Sequence, residues 1–410
     1  MNKQASVIKY LQDQYLDYGR IRHDVVSDKL QIRVGEGVGH WREMTKQDVN
    51  SIVCQCVQEY DSNITSREVL TALQSDLVPN VHPLREYIES LSPYSEDQPD
   101  WIDIVAQQVK VASDGLWRMC FKKWFVAMVA SWMKDEVVNH QVLVLIGKQG
   151  IYKTTWLEHL IPPHLRQYCC KLSNIRDLNK DERLRIAEFG LINMDEIDAL
   201  NTRDLNQLKS IITTSDINER AAYGYTKERR IRLASFCASG NRREFLTDIT
   251  GNRRWLPFEV ESIQDPFYTT LPYDLMYAQA YALMHDSRFC YWFELDEIEN
   301  MERHNQYFRD ESNEEQLLAV YFAVPAQDAP NAKFMTTAEI SERLITYGSI
   351  RHPMSLSQLG MLLHKQGFAS SRQGSPARRG WVVYERDSEE IRSERKRFAT
   401  PSIASDDTLY

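Results

Sequence analysis

Lys153 and Thr154 follow Gly147 at the spacing at which an ammonium and a hydroxyl can serve a phosphate group. The stretch Gln141 to Thr155, QVLVLIGKQGIYKTT, reads as a buried apolar strand, a glycine-bearing turn and the start of a helix. In nucleotide hydrolases that order makes a phosphate loop: backbone N–H groups cradle phosphates, the lysine reaches the terminal ones and the hydroxyl holds magnesium. Gly147, Gln149, Gly150, Ile151, Tyr152, Lys153, Thr154 and Thr155 are then the expected contacts of the ATP phosphates. Tyr152 departs from the pattern, because it stands where a glycine normally precedes the lysine. A glycine there lets the loop close tightly; a tyrosine must point outward or crowd the nucleotide.

Three features downstream suit the same chemistry. GLINMDEID, Gly190 to Asp198, is an apolar strand ending in Asp195 and Glu196. The first carboxylate can join a magnesium shell with Thr154 and the second can polarise water; the plainer reading is that the pair caps the following helix. RLASFCASGN, Arg232 to Asn241, is a second apolar strand whose terminal amide can orient water and sense a γ-phosphate, although Gly-Asn is also an ordinary turn. TGNRRW, Thr250 to Trp255, sets Arg253 and Arg254 after a glycine turn, where either guanidinium could neutralise phosphate charge in a neighbouring subunit. Surface arginines are mostly solvated, so it is the ordered set that carries weight.

LVLIGKQGIYKTTWLEHLIP, LINMDEID and FCASGNRREFLTDITGNRRWLPFEV together resemble the ATPase core of the virulence-associated protein E family, which groups with the superfamily 3 helicases, compact AAA+ motors of mobile elements, phages and plasmids. LVPNVHPLREYIESL and WRMCFKKWFVAMVASWM look like its lead-in helices, so the resemblance covers roughly residues 60 to 300. It implies ATP and Mg2+ as cofactors, Asp195 as the metal carboxylate, Glu196 as the base, Asn241 as the first sensor, and Arg253 or Arg254 acting in trans. It also implies a ring, a homo-hexamer, on single-stranded or forked DNA, with a separate primase or other replication protein as a partner. Superfamily 3 helicases carry a strand-gripping hairpin before the sensor. AAYGYTKERR occupies that place here, giving Arg220, Tyr223, Tyr225, Lys227, Arg229 and Arg230 as DNA contacts. Residues 220 to 254 hold nine Lys or Arg against three acids, a local reversal of sign in a chain of net charge -9.

The frame that must position these residues is ordinary for its composition, 43% hydrophobic and 26% charged over 410 residues. That length allows two or three domains. The acidic balance argues against indiscriminate coating of nucleic acid. With no apolar run of membrane-spanning length and no secretory signal pattern, no membrane partner and a cytoplasmic location are expected. Seven cysteines without a C-x-x-C pair read as reduced. The expected fold is α/β: a P-loop AAA+ core over 136–300, after a small α+β module over 1–75 and a helical lead-in or collar over 76–135. Trp117, Phe121, Trp124, Phe125, Met128 and Trp132 recur at helical spacing there and read as core. His23 and Asp24 read as a solvated pair on a turn.

After an acidic helical connector, 301–332, residues 333–390 give helix, helix and hairpin, the order of a winged helix. It is similar to the C-terminal domain found with this ATPase in some mobile-element proteins. Arg372, Arg378 and Arg379 on the wing are then expected phosphate contacts, with Ser357, Gln358 and His364 in a groove. The tail, 391–410, reads as mobile. Two functions fit: an ATP-dependent helicase or translocase, or a DNA-binding initiator or regulatory ATPase in which nucleotide controls assembly. A primase is not expected, since no acidic pair with a partner histidine clusters before residue 100.

Overall fold

A computed structural model describes residues 2–35, 39–60, 63–172, 186–219, 228–246, 252–326, 331–351, 353–374 and 377–399. They form two compact units, one of Met1–Phe245 with Arg253–Phe308, the other of Leu246–Asn252 with Arg309–Tyr410.

The first unit begins with the helix Lys3–Leu11, whose N-terminus is capped by the Asn2 side chain accepting from the Ala5 amide at 2.8 Å. A meander of β1 (Ile21–Asp24), β2 (Lys29–Val34) and β3 (His40–Glu43) follows, and β4 (Asn80–Val81) joins β1 in parallel, giving the order β3-β2-β1-β4. Helices Lys46–Tyr60 and Ser66–Leu73 close over it, burying Val7, Leu11, Ile52, Cys56 and Val69. Because β4 lies past residue 75, the module is longer than its sequence suggested. Asp24 is also not solvated. It is fully buried and accepts from the Val26 amide, the Ser27 hydroxyl, Gln31 Nε2 and the Tyr168 hydroxyl, so the carboxylate organises the hairpin turn.

The main sheet of this unit contains β5 (Val109–Val111), β6 (Val142–Ile146), β7 (Cys169–Leu172), β8 (Leu191–Met194), β11 (Ser235–Gly240) and β12 (Trp255–Ile263), in the order β5-β12-β6-β11-β8-β7. All neighbours but β5 and β12 run parallel. Every residue of β6, β8 and β11 is buried, as a parallel sheet covered on both faces requires. Helix Asp114–Met133 is buried on every face from Lys123 to Trp132, with Trp117, Phe121, Trp124, Phe125 and Trp132 fully buried, while Arg118 and Lys122 nearer its start pair with Asp103 and Asp100. Its indoles donate to the carbonyls of Ala106, Phe236 and Gly190, so the aromatic steps are core. Between β8 and β11 the chain makes a separate antiparallel pair, β9 (Asp216–Glu219) with β10 (Glu228–Ile231).

The acidic stretch after residue 294 is not one solvated connector. It divides into helix Leu295–Asn305, a short turn Gln306–Phe308 and helix Asn313–Tyr321. Two of its acids are sequestered: Glu297 pairs with Lys123 inside the first unit, and Glu315 pairs with Arg309 inside the second.

In the second unit β16 (Arg378–Glu385) pairs antiparallel with β13 (Phe322–Ala323), β14 (Ala332–Met335) and β15 (Ala369–Gln373). Helices Thr337–Gly348 and Leu356–Lys365 start with capping boxes, Thr336 with Glu339 and Ser355 with Gln358. They pack Ile340, Leu344, Leu359, Leu362 and Leu363 against Trp381 and Val383. The residues expected to begin a mobile tail continue instead as helix Ser388–Ala399.

Candidate functional site

The sheet order decides which chain ends meet. β11 lies between β6 and β8, with Gly240 opposite Ile146 and Ala238 opposite Met194. The C-terminal ends of three parallel strands therefore deliver the glycine loop, Asn241 and Asp195 to one edge, where the strand order reverses about β6. Such edges of open α/β sheets are where ligands bind.

The loop is built on backbone that side chains resist. Gly147 has φ 157°, and a Cβ there would lie 2.7 Å from the Val260 carbonyl oxygen, so only glycine fits against β12. Gly150 has φ 84°. Tyr152 adopts the glycine conformation without being one, at φ 68° and ψ 14°, a left-handed geometry costing a side chain about 1–2 kcal/mol. Its ring is 39% exposed and meets Phe267 edge-on, so it points out of the loop. Lys153 turns inward. Its Nζ donates to the carbonyl oxygens of Gly147 at 2.8 Å and Lys148 at 2.7 Å, and stands 3.4 Å from Asn241 Oδ1. Burial pushes the Lys153 ammonium below its ordinary pKa, against the pull of Asp195 and Asp198. Among the described residues its hydrogen-bond partners are neutral oxygens, a setting suited to meeting an anion. Gln149 is exposed, and Ile151 and Thr155 are half-buried.

Below the lysine, hydroxyls surround one carboxylate. Thr154 Oγ1 and Ser239 Oγ lie 2.8 Å apart, Ser239 donates to Asp195 Oδ1 at 2.8 Å, and Thr154 donates to the same oxygen at 3.3 Å. Lys171 on β7 pairs with Asp195 Oδ2 at 2.8 Å. Burial acts to raise the Asp195 pKa; the Lys171 ammonium and the Ser239 hydroxyl outweigh it and hold the carboxyl below its usual range. Asn193 Nδ2 donates to the Thr154 carbonyl, which fixes the first helical turn to β8. Among the described residues no group of three or more His, Cys, Asp or Glu converges on a metal. A divalent ion at Asp195 and Thr154 therefore needs phosphate and water oxygens to complete its shell, the usual magnesium arrangement.

Glu196 is exposed and left-handed at φ 55°, a strained backbone for a glutamate. It stands at the N-cap position of the 3-10 turn Ile197–Ala199 without a side-chain cap bond, and the longer helix Thr202–Thr213 is capped by Asn201 instead, which accepts from the Asp204 amide at 3.0 Å. The following turn is tied to the turn after β11 by Asp198, whose Oδ2 accepts from the Arg242 amide at 2.9 Å.

The arginines divide. Arg253 and Arg254 precede Trp255, which lies opposite Val142 at the start of β6, whereas the loop leaves its far end. Five residues of strand separate them, roughly 16 Å, so neither arginine belongs to the loop of its own chain. Arg232 is core: its guanidinium donates to the Ala234 and Asn139 carbonyls, and burial lowers its pKa to about 9. Arg230 is not free for DNA, since it pairs with Asp28 at 2.6 Å and Glu188 at 3.4 Å and fastens β10 to the N-terminal module. Arg220, Tyr223, Tyr225 and Lys227 lie outside the described residues, as does the side chain of Arg229. In the second unit Arg372 sits directly opposite Arg379, with Arg378 beside them, all exposed. Ser357 and His364 are exposed, while the Gln358 amide oxygen is committed to the cap at Ser355.

Sequence reasoning passed over Ser239, Asn193 and Lys171. Ser239 was within reach, because period-2 alternation puts it on the same face of β11 as Asn241; Lys171 was not, since nothing marked β7.

The fold and site define a mixed α/β protein whose parallel sheet gathers a lysine, hydroxyls and an acid at one edge. The virulence-associated protein E-like domain matches residues 89–310, more than half of the chain, and the chain belongs to that family. Among solved structures, the apo NrS-1 C-terminal region (305–718) is 12% identical with TM-score 0.48, covering 94% of this chain and 100% of that one. A second apo form of that region has TM-score 0.44 at 12% identity, covering 93% and 98%. No curated protein matches.

Proposed function

We propose that this chain is an ATP-dependent DNA helicase or translocase of superfamily 3 type, working as a ring, a homo-hexamer, in replication or mobilisation of a mobile element. The observation that carries this reading is the convergence of Lys153, Thr154, Ser239, Asp195 and Asn241 at the ends of three adjacent parallel strands. The donor set fits magnesium ATP: a buried ammonium bonded to neutral oxygens, and two hydroxyls grouped on one carboxylate. Lys153 would exchange its carbonyl partners for the β- and γ-phosphates, and Thr154 and Asp195 would hold the metal. Bound Mg-ATP supplies the anhydride whose cleavage drives the motor. Glu196 accepts a proton from the attacking water through its carboxylate, and Asn241 holds that water through its amide. The placement of Arg253 and Arg254 away from their own loop supports a role in the site of an adjacent subunit.

The AAA+ assignment rests on family membership together with the strand order. The hairpin stem β9–β10 supports a strand-gripping loop at 220–227. In the second unit two helices followed by a hairpin with opposed arginines support a winged helix that binds DNA phosphates, since like charges facing each other across a ladder are unfavourable until an anion sits between them. One observation favours the initiator or regulatory reading: Lys171 occupies Asp195 where a metal would bind. ATP hydrolysis with and without single-stranded DNA, and displacement of a forked duplex, separate the two. The motor requires DNA-stimulated turnover and unwinding, both lost in Glu196→Gln; DNA binding without unwinding under any condition contradicts it.

A further inference from the structure

Beside the phosphate loop the surface is aromatic. Phe267 is 69% exposed and Tyr268 91%, next to the exposed ring of Tyr152. Phe267 presents its ring to Tyr152 at 6.3 Å and to His159 at 5.8 Å, both near perpendicular. The register explains the placement: Glu259 is opposite Ile146 and the Val260 carbonyl abuts Gly147, so the chain leaving β12 emerges alongside the loop. The segment is held rather than loose. The Phe267 amide donates to Asp265 Oδ1 at 2.9 Å, the Tyr268 and Thr269 amides donate to the Asp265 carbonyl, and the Gln264 amide donates to the Gln108 carbonyl. The edge-on contact of the Tyr152 and Phe267 rings joins loop and segment. Exposed rings grouped on an ordered surface beside a candidate phosphate loop are placed to contact what that loop binds.

Resting on the nucleotide reading above, we infer that Phe267, Tyr268 and Tyr152 form a stacking platform for the heterocyclic base of the nucleotide whose phosphates lie at Lys153. Stacking uses the π-face that every base has, so the platform tolerates different bases and takes the larger purines best. It also gives Tyr152 a purpose: the residue keeps the glycine backbone conformation and adds a ring where the base emerges.

Calorimetric titration with Mg-ATP and with magnesium and inorganic tripolyphosphate tests this on the full chain. Wild type is expected to bind ATP more tightly than tripolyphosphate. Phe267→Ala should weaken ATP about tenfold and leave tripolyphosphate unchanged, and Phe267→Trp should keep the wild-type preference. Tyr268→Ala, at a still more exposed position, provides a second reading should Phe267→Ala melt early. Unchanged ATP affinity in both alanine variants, with Lys153→Ala losing both ligands, overturns the platform and leaves the phosphate site standing. If wild type binds neither ligand, or Lys153→Ala alters neither, the nucleotide reading fails and the platform with it. Loss of single-stranded DNA binding in Phe267→Ala with ATP unaffected would assign the rings to a strand instead.

Discussion

Tyr152 combines a tyrosine side chain with a backbone that suits glycine. Two variants isolate the backbone contribution, because Tyr152→Ala and Tyr152→Gly lose the same ring and the same contact with Phe267. The glycine variant should be the more stable by about 1 kcal/mol in urea unfolding, since alanine still pays for a positive φ; alanine as the more stable variant would contradict the left-handed geometry. Asp195 makes a prediction in pH. Its folded pKa is depressed, by Lys171 and Ser239 against burial. Its contribution to stability is therefore present above the unfolded carboxylate range and lost as pH falls through the lower folded value. Lys171→Met should reduce that acid-side loss, measured as a shallower fall in unfolding free energy below about pH 4. An unchanged slope would mean the ion pair does not hold the carboxyl. That Lys153, Thr154, Asp195 and Asn241 form an ordered set was legible in residue types and spacing, but their partners were not. Ser239 and Lys171 reach Asp195 only because β11 and β7 flank β8, and pairing between distant strands leaves no local mark.

At the scale of elements, the β9–β10 stem shows what charge counting misses. Of the nine basic residues between 220 and 254, Arg232 is buried beneath Phe236, Arg230 is fastened to Asp28 and Glu188, and Arg243 is spent on Glu244 and Tyr307. A run of sign along the chain says nothing of which acids folding brings to it. Arg230→Ala should therefore loosen the stem, costing about 1 kcal/mol in this partly exposed setting, and leave single-stranded DNA affinity unchanged. Lys227→Ala, at the residue before β10 in the sequence, should weaken that affinity and lower its salt slope by about one unit. Equal losses of DNA binding in the two variants would show that Arg230 contacts the strand. The aromatic helix Asp114–Met133 shows the opposite case. Its spacing announced a core element, and the residues from Lys123 to Trp132 are buried on every face of the helix.

For the whole molecule, the sequence marked an α/β centre preceded by a small module and followed by a helix–helix–hairpin unit. Those elements are present, because apolar periodicity and capping pairs such as Thr336 with Glu339 are local signals. Glu297 and Glu315 look alike in a charged run, yet one pairs with Lys123 in the first unit and the other is buried against Arg309 in the second. The central claim is that the edge shared by β6, β11 and β8 hydrolyses ATP to move DNA. The most direct measurement is unwinding of a forked duplex with coupled ATP turnover, for wild type and Glu196→Gln, the variant retaining its nucleotide affinity. The account predicts DNA-stimulated turnover and strand displacement in wild type and neither in the variant. Hydrolysis and unwinding that persist undiminished in Glu196→Gln would contradict it.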